Sequence, residues 1–326
     1  MDGSDLSAAR LSRRRALKLG GTMAGGLVAA RLPLPSSAAA ASAHHRHARH
    51  DHDSGLPVAQ IQDIIGIDGT VSSGVLDISV GRKDIGSVTG PLGVMLDAAF
   101  EVHGDLYFQP LGRGKALLNG DLALLPEETN PFIAALLQQG LTFQAFHQHL
   151  IEMNPQVWFI HFRGVGDPLS LARAVRAALG VTKTPLPQAS PANPTTPLDA
   201  DKLAKILHGD AQVGEEGVVT VSVNRKRGVR LGGVYAKPET GISTSIEFKP
   251  LGSGAQVAAV PDFSMTGDEV VPVVRRMQGL GWFQGCLYNQ ETDEQPQLYF
   301  DHMLKVGDAY ALAAEIRSGL DLTDSE

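Results

Sequence analysis

Cysteine is almost absent from this chain: Cys286 is the only one among 326 residues. A single thiol rules out an internal disulfide and any cysteine-rich zinc site. An excess of positive charge is missing too. With 28 basic and 35 acidic residues the formal net charge is −7, so there is no basic surface to track phosphates and nucleic acid is excluded as a partner. No apolar run is long enough to span a bilayer, which takes ~20 residues, so no stable membrane anchor is expected. No P-loop, nucleophile elbow or dinucleotide fingerprint occurs, and Gly112-Arg113-Gly114 reads as a turn beside a strand. What remains is an ordinary globular composition, 43% hydrophobic and 19% charged, in a chain long enough for about two domains.

The first 43 residues read as a targeting segment. Ser12-Arg13-Arg14-Arg15-Ala16-Leu17-Lys18 is similar to the bacterial twin-arginine signal, with Ala16 where an aromatic is usual. A weakly apolar Gly/Ala-rich stretch follows, then alanine-rich cleavage sites around Ser37–Ala43. The expected route is the twin-arginine translocation machinery, with a periplasmic or extracellular destination. Residues 44–56 would form a disordered tail, with five histidines between His44 and His52 that could capture stray metal.

Beyond the tail the chain is a duplication. Ser79-Val80-x-Arg82-Lys83 recurs as Ser222-Val223-x-Arg225-Lys226, and Phe108-x-Pro-Leu-Gly112 as Phe248-x-Pro-Leu-Gly252. Asp121, Glu128, Pro131, His161 and Asp167 recur as Asp262, Glu269, Pro272, His302 and Asp308, at offsets of 140–143. Matching order and spacing over so long a stretch predicts two homologous domains, at 57–180 and 198–320, joined by a Pro-rich linker at 181–197 and followed by a tail at 321–326. Each copy reads as a run of strands, a helix over Glu127–Gln139, two strands at 142–150 and 156–163, and a last helix over Leu169–Leu179 capped by Asp167. The expected class is α+β: two tandem domains, each a mostly antiparallel sheet with two packed helices.

The chemistry concentrates in the strand pair at the end of the first copy. Side chains alternate along a strand, so His147, His149, His161 and Arg163 share one face while Phe146, Trp158, Ile160 and Phe162 share the other. A turn at Asn154-Pro155-Gln156 would set His149 opposite His161, with Cβ atoms ~5 Å apart. Three imidazoles could then meet on one ion, with bonds of ~2.1 Å. A second strand places Glu101, His103 and Asp105 on one face at period two. It could supply His103 as a fourth ligand, or a carboxylate.

The second copy acts as an internal control. Its matching positions carry Gly241, Ser243 and Ser245, then Leu287 and Asn289, while His302 alone survives. The polar set is lost together while the apolar framework stays. This points to a site in the first copy and a degenerate second copy, with His302 a hydrogen-bonded structural histidine. The spacing His147-x-His149-x-x-Glu152 also resembles cupins, but the glutamate is one residue short and two helices per repeat fit a cupin barrel poorly.

The run Asn119-Gly-Asp121, Glu128-x-Asn130-Pro131, His147-x-His149, Pro155 and Phe159-x-His161-Phe162 resembles the LppY/LpqO family of exported bacterial proteins. The resemblance covers about 57–320, implies export and a tandem domain, and implies no particular reaction.

The leading expectation is an exported metal-dependent hydrolase acting on a small-molecule or cell-envelope substrate. His147, His149 and His161 would hold a divalent ion, Zn²⁺ first and Fe or Mn as other candidates. Glu101, Asp105 or Glu152 would be general base to the metal-bound water, and Arg163 would hold an anionic group. The alternatives are non-catalytic metal binding or delivery, and a cell-envelope interaction module whose site is vestigial.

Overall fold

A computed structural model of the chain describes residues 55–190 and 193–326. The targeting segment and most of the His-rich tail lie outside the described residues.

The first repeat runs α1 (Val58–Ile65), β1 (Thr70–Ser72), β2 (Val75–Gly81), β3 (Val88–Thr89), β4 (Met95–Leu96), β5 (His103–Gly112), β6 (Lys115–Leu124), α2 (Pro126–Gln138), β7 (Thr142–His147), β8 (Trp158–Gly166) and α3 (Pro168–Leu179). The second repeats that plan: α4 (Ala200–Leu207), β9 (Asp210–Val213), β10 (Val219–Val223), β11 (Val229–Leu231), β12 (Val234–Ala236), β13 (Thr244–Pro250), β14 (Gln256–Thr266), α5 (Gly267–Gly279), β15 (Phe283–Tyr288), β16 (Glu294–Gln295), β17 (Leu298–Asp308) and α6 (Ala309–Leu320). Each repeat builds one six-stranded sheet, in the orders β1-β2-β5-β6-β8-β7 and β9-β10-β13-β14-β17-β15. The two orders are the same topology, and all strand pairs within them are antiparallel. The expected class therefore holds: two tandem α+β domains.

Three helices, not two, belong to each repeat. The extra ones, α1 and α4, are eight residues each and close to the minimum a periodicity pattern can reveal. The helices cover one face of each sheet. Leu76, Ile78, Phe108, Leu118, Ile160 and Phe162 meet Phe132, Leu136, Leu171 and Val175 in the first core. Val221, Ile246, Phe248 and Phe263 meet Val273, Met277, Leu312 and Ile316 in the second.

The opposite faces of the two sheets meet each other. One apolar cluster joins Phe100, Val102, Leu150, Met153 and Phe159 to Val218, Ala258, Val260 and Leu304. Another joins Leu117 to Leu231, Ile242, Leu298 and Phe300. The molecule is thus layered helix, sheet, sheet, helix, with polar groups trapped between two apolar clusters at its centre. The segment after Gly180 is no free linker in its first half: Gln188 bonds both N–H and C=O of Gly81, and Lys183 N–H donates to Glu128.

The motif shared by both repeats has a structural explanation. Arg82 is fully buried at the end of β2. It bonds the carboxylate of Glu128 at 2.7 Å, Asp84 at 2.9 Å and the carbonyl of Ala123. Glu128 also accepts from Leu125 N–H at the start of α2. Arg225 and Glu269 repeat the device, with Ser264 O and Thr266 N–H.

The expected register of β7 and β8 is corrected. Ala145, not His149, lies opposite His161, and His147 lies opposite Phe159, with a bulge between Phe143 and Ala145. β7 ends at His147 because the chain then leaves the sheet to bury Leu150, Met153 and Val157 between the repeats. A ten-residue crossing loop replaces the tight turn and carries His149.

Candidate metal centre

The face reading survives the change of register. His147 and His161 point into the space between the sheets, and His149 reaches the same space from the loop. His147 Nδ1 lies 3.2 Å from Gln148 O, which calls for a proton on Nδ1. His147 Nε2 then accepts from His161 Nε2–H at 2.9 Å, leaving His161 Nδ1 as a buried lone pair with no partner.

The expected three-histidine set does not form. The described residues instead bring together Glu101, His149 and His302, whose ligand atoms all lie within 4.8 Å of one another. Two come from the first repeat and one from the second. His149 Nδ1 is 3.1 Å from Glu101 Oε2, and the His149 ring stacks on His302 at 3.9 Å and on Phe159 at 3.3 Å. Glu101 and His302 are 5% and 4% exposed. Ligand atoms bonded at ~2.1 Å to one ion lie at most ~4.2 Å apart, so movements of under about 1 Å would complete a coordination shell.

His302 is corrected from structural histidine to candidate ligand. It stands opposite Asp262 on β14 and opposite Cys286 on β15. Its Nδ1 lies 3.5 Å from Asp262 Oδ1 and 3.4 Å from Cys286 Sγ. Gly285 explains how the loop gets so close: a Cβ there would meet His149 O at 2.5 Å and His302 O at 2.7 Å.

The other expected residues have different places. His103 pairs with Glu247 of the second repeat at 3.3 Å, and with Asp105 at 4.0 Å. Asp105 also accepts from Tyr107 Oη at 3.3 Å. Arg163 bonds Glu291 at 2.8 Å and Asp293 at 3.3 Å, fastening the second repeat's loop to the first sheet. Glu152 sits exposed on the crossing loop at φ 60° and takes no part in the buried group's hydrogen bonds. Glu101, expected as a base, lies in the same cluster as His149 and His302.

Strand register also corrects the alignment of the copies. His147 pairs with Phe159, and the matching Phe300 pairs with Tyr288. The counterpart of His147 is therefore Tyr288, not Leu287, and the two rings stack across the interface at 3.5 Å. By the same register His149 corresponds to Gln290. Gln290 donates to Gly241 O at 3.0 Å, where its counterpart His149 meets Glu101. Glu101 and Gly241 even share a left-handed backbone, at φ 68° and 77°. Around a pseudo-twofold axis, Glu101/His149/His302 is thus matched by Gly241/Gln290/His161, so one side carries the full set and the other keeps only its histidine. Glu247, Asp262, Cys286 and Tyr288 went unrecognised in the sequence. For Asp262 and His302 there was a signal: both are kept when the other polar residues are not.

Burial shapes the electrostatics. It drives the pKa of His147 down to about 3, against the Gln148 carbonyl, and those of His149, His161 and His302 well below the usual value, where for these three the neighbouring imidazoles add to the effect. Burial thus favours the neutral form of these imidazoles, the form that can ligate a metal. Burial, then Glu247, raises Glu101, and burial, then Asp301, raises Asp262. Burial alone would lower His103, but Glu247, Asp105 and Glu101 hold its imidazolium so firmly that its pKa rises to about 10. Neutral imidazoles beside buried carboxylates are a donor set suited to a divalent cation.

The family model described as Domain of Unknown Function (DUF1259) matches residues 59–181 and again 201–322. The chain belongs to that family. Both matches coincide with the two repeats. No curated protein matches the chain. Among solved structures, a trimeric bacterial microcompartment shell protein, PduB, aligns at 10% identity over 78% of this chain and 89% of its own, with a TM-score of 0.19. That score is too low to carry an inference about fold.

Proposed function

We propose that this chain is a metal-binding protein that holds a divalent transition ion between its two repeats on Glu101, His149 and His302. The observation that carries the reading is the convergence of these three side chains from both repeats within 4.8 Å. Two imidazoles and a carboxylate suit Zn²⁺ first, and Fe²⁺ or Mn²⁺ next. Deep burial favours a holding role, capture or delivery, over turnover. Metal-dependent hydrolysis is the second reading. Three protein ligands leave a position for water, and His149, 15% exposed, gives the group an edge toward solvent.

The test is elemental analysis of protein purified from a native-like host, beside His302→Ala. About one equivalent of bound metal, lost in the variant, is expected. A His302→Ala protein that keeps its metal ends the two-repeat site, and metal-free wild type ends the metal reading itself. Turnover of ester, phosphate or peptide substrates that tracks metal content would favour the hydrolase.

Export belongs to the same proposal. Its support is the twin-arginine-like segment and the resemblance to the LppY/LpqO family. Sequencing the N-terminus of protein recovered outside the cytoplasm tests it, with cleavage near Ala43 expected. An intact leader on all of the recovered protein would count against it.

A further inference from the structure

The populated side of the pseudo-twofold axis carries more chemistry than one ion uses. Besides Glu101, His149 and His302 it holds His103, Asp105 and Glu247. Register pairs Ser79 with Asp105 in the first sheet and Ser222 with Ser245 in the second, so Ser245 replaces Asp105 and Ser243 replaces His103 on the opposite side. Tyr107, facing Gly241, takes the place of Glu247 there. All three additional groups are thus present beside the candidate ligands and absent where those ligands are absent.

We propose that His103, Asp105 and Glu247 hold a second divalent cation next to the first, so that the centre is binuclear. The inference rests on the metal-binding reading above. Glu247 is placed to serve both positions. Its Oε1 faces His103 Nε2 at 3.3 Å, and its Oε2 accepts from the backbone N–H of Glu101 at 3.3 Å. Asp105 Oδ2 approaches the same His103 Nε2 at 4.0 Å.

Two further observations point to a missing cation. His103 Nδ1 is buried without a hydrogen-bond partner. Charge is also out of balance: among the described residues no lysine or arginine pairs with Asp77, Asp105, Asp121 or Glu247. Asp105 and Glu247 both face the Nε2 of His103, and a divalent ion bound there would displace the proton that Nε2 shares with Glu247. Two carboxylates and one imidazole form a harder ligand set than Glu101/His149/His302 and suit Mn²⁺ as well as Zn²⁺.

Full-length protein is stripped with chelator, loaded with Mn²⁺ alone, desalted, and examined by metal analysis and electron paramagnetic resonance. Two ions per chain with a spin-coupled spectrum are expected. Glu247→Gln and, separately, His103→Gln should each leave one ion with an isolated-ion spectrum. One uncoupled ion in wild type, unchanged in both variants, overturns the second position while leaving the first. Two ions that persist in both variants overturn the assignment to these residues. Wild type that binds no Mn²⁺ or Zn²⁺ overturns this inference together with the reading it rests on.

Discussion

Glu101 is the residue at which function and stability pull apart. It sits at φ 68°, in the left-handed region that side chains avoid, while its counterpart Gly241 adopts φ 77° at no such cost. Its carboxylate is also buried. A residue that is strained, buried and replaceable by glycine in the same fold is best explained by what it binds. Glu101→Gly should remove the ion held with His149 and His302, yet leave the chelated protein within about 1 kcal/mol of wild type, because relief of strain offsets the lost bond to His149. Metal analysis and urea unfolding of the chelated proteins check both halves. A second residue sets a pH dependence away from the centre. Burial raises Glu294 to about 7, against the pull of the Leu298 N–H and Arg163. Its ordinary value is near 4.5, so the folded state binds the extra proton. Its contribution is complete below about pH 4.5 and is lost as pH rises through about 7. Glu294→Gln, which mimics the protonated acid and keeps an acceptor for Leu298 N–H, should flatten that decline, by on the order of 3 kcal/mol at pH 8. Parallel stability curves for the two proteins would show the assignment to be wrong.

At the scale of elements, the shared motif and the candidate metal centre separate cleanly. Arg82 and Glu128, like Arg225 and Glu269, tie the end of a strand to the first turn of a helix. Removing one partner of a buried pair leaves the other uncompensated. Arg82→Ala should therefore cost about 3–5 kcal/mol in thermal or chemical unfolding, whether or not metal is present. The element that does belong to the site is the loop after β7. Its sequence reads as a continued strand because His147 and His149 keep the two-residue alternation, but Leu150 and Met153 are buried in the apolar cluster that both repeats build between the sheets. That demand pulls the loop across and delivers His149 to His302. Strand periodicity revealed which histidines share a face. It could not reveal the bulge at Phe143–Ala145, the end of β7, or the short helices α1 and α4.

At the scale of the whole molecule, the ion would act as a cross-link. Its ligands come from both repeats, so binding should stabilise the docked pair by RT ln(1 + [M]/Kd), about 2.7 kcal/mol at a hundredfold excess over Kd. For a protein of this size that is a rise in Tm of roughly 5–10 °C. Scanning Tm against Zn²⁺ concentration should show the rise in wild type and a clearly smaller one in Glu101→Gly. An equal rise in both would place the stabilising ion elsewhere.

The sequence by itself determined the duplication, the main strands and the longer helices of each copy, the split between an apolar and a histidine-bearing face, and the fact that one copy lost most of its polar groups. These are short-range periodicities and a long-range self-match, both written directly in residue order. Only the tertiary structure decided that the two polar faces stack on each other, that Glu101 and His149 find their partner in His302, and that Arg163 is spent on Glu291. Residues that meet across two stacked sheets share no spacing along the chain. Their proximity follows from burying Phe159, Leu150, Val260 and Leu304 together, and apolar burial fixes which surfaces touch without leaving a local pattern for the polar groups it traps.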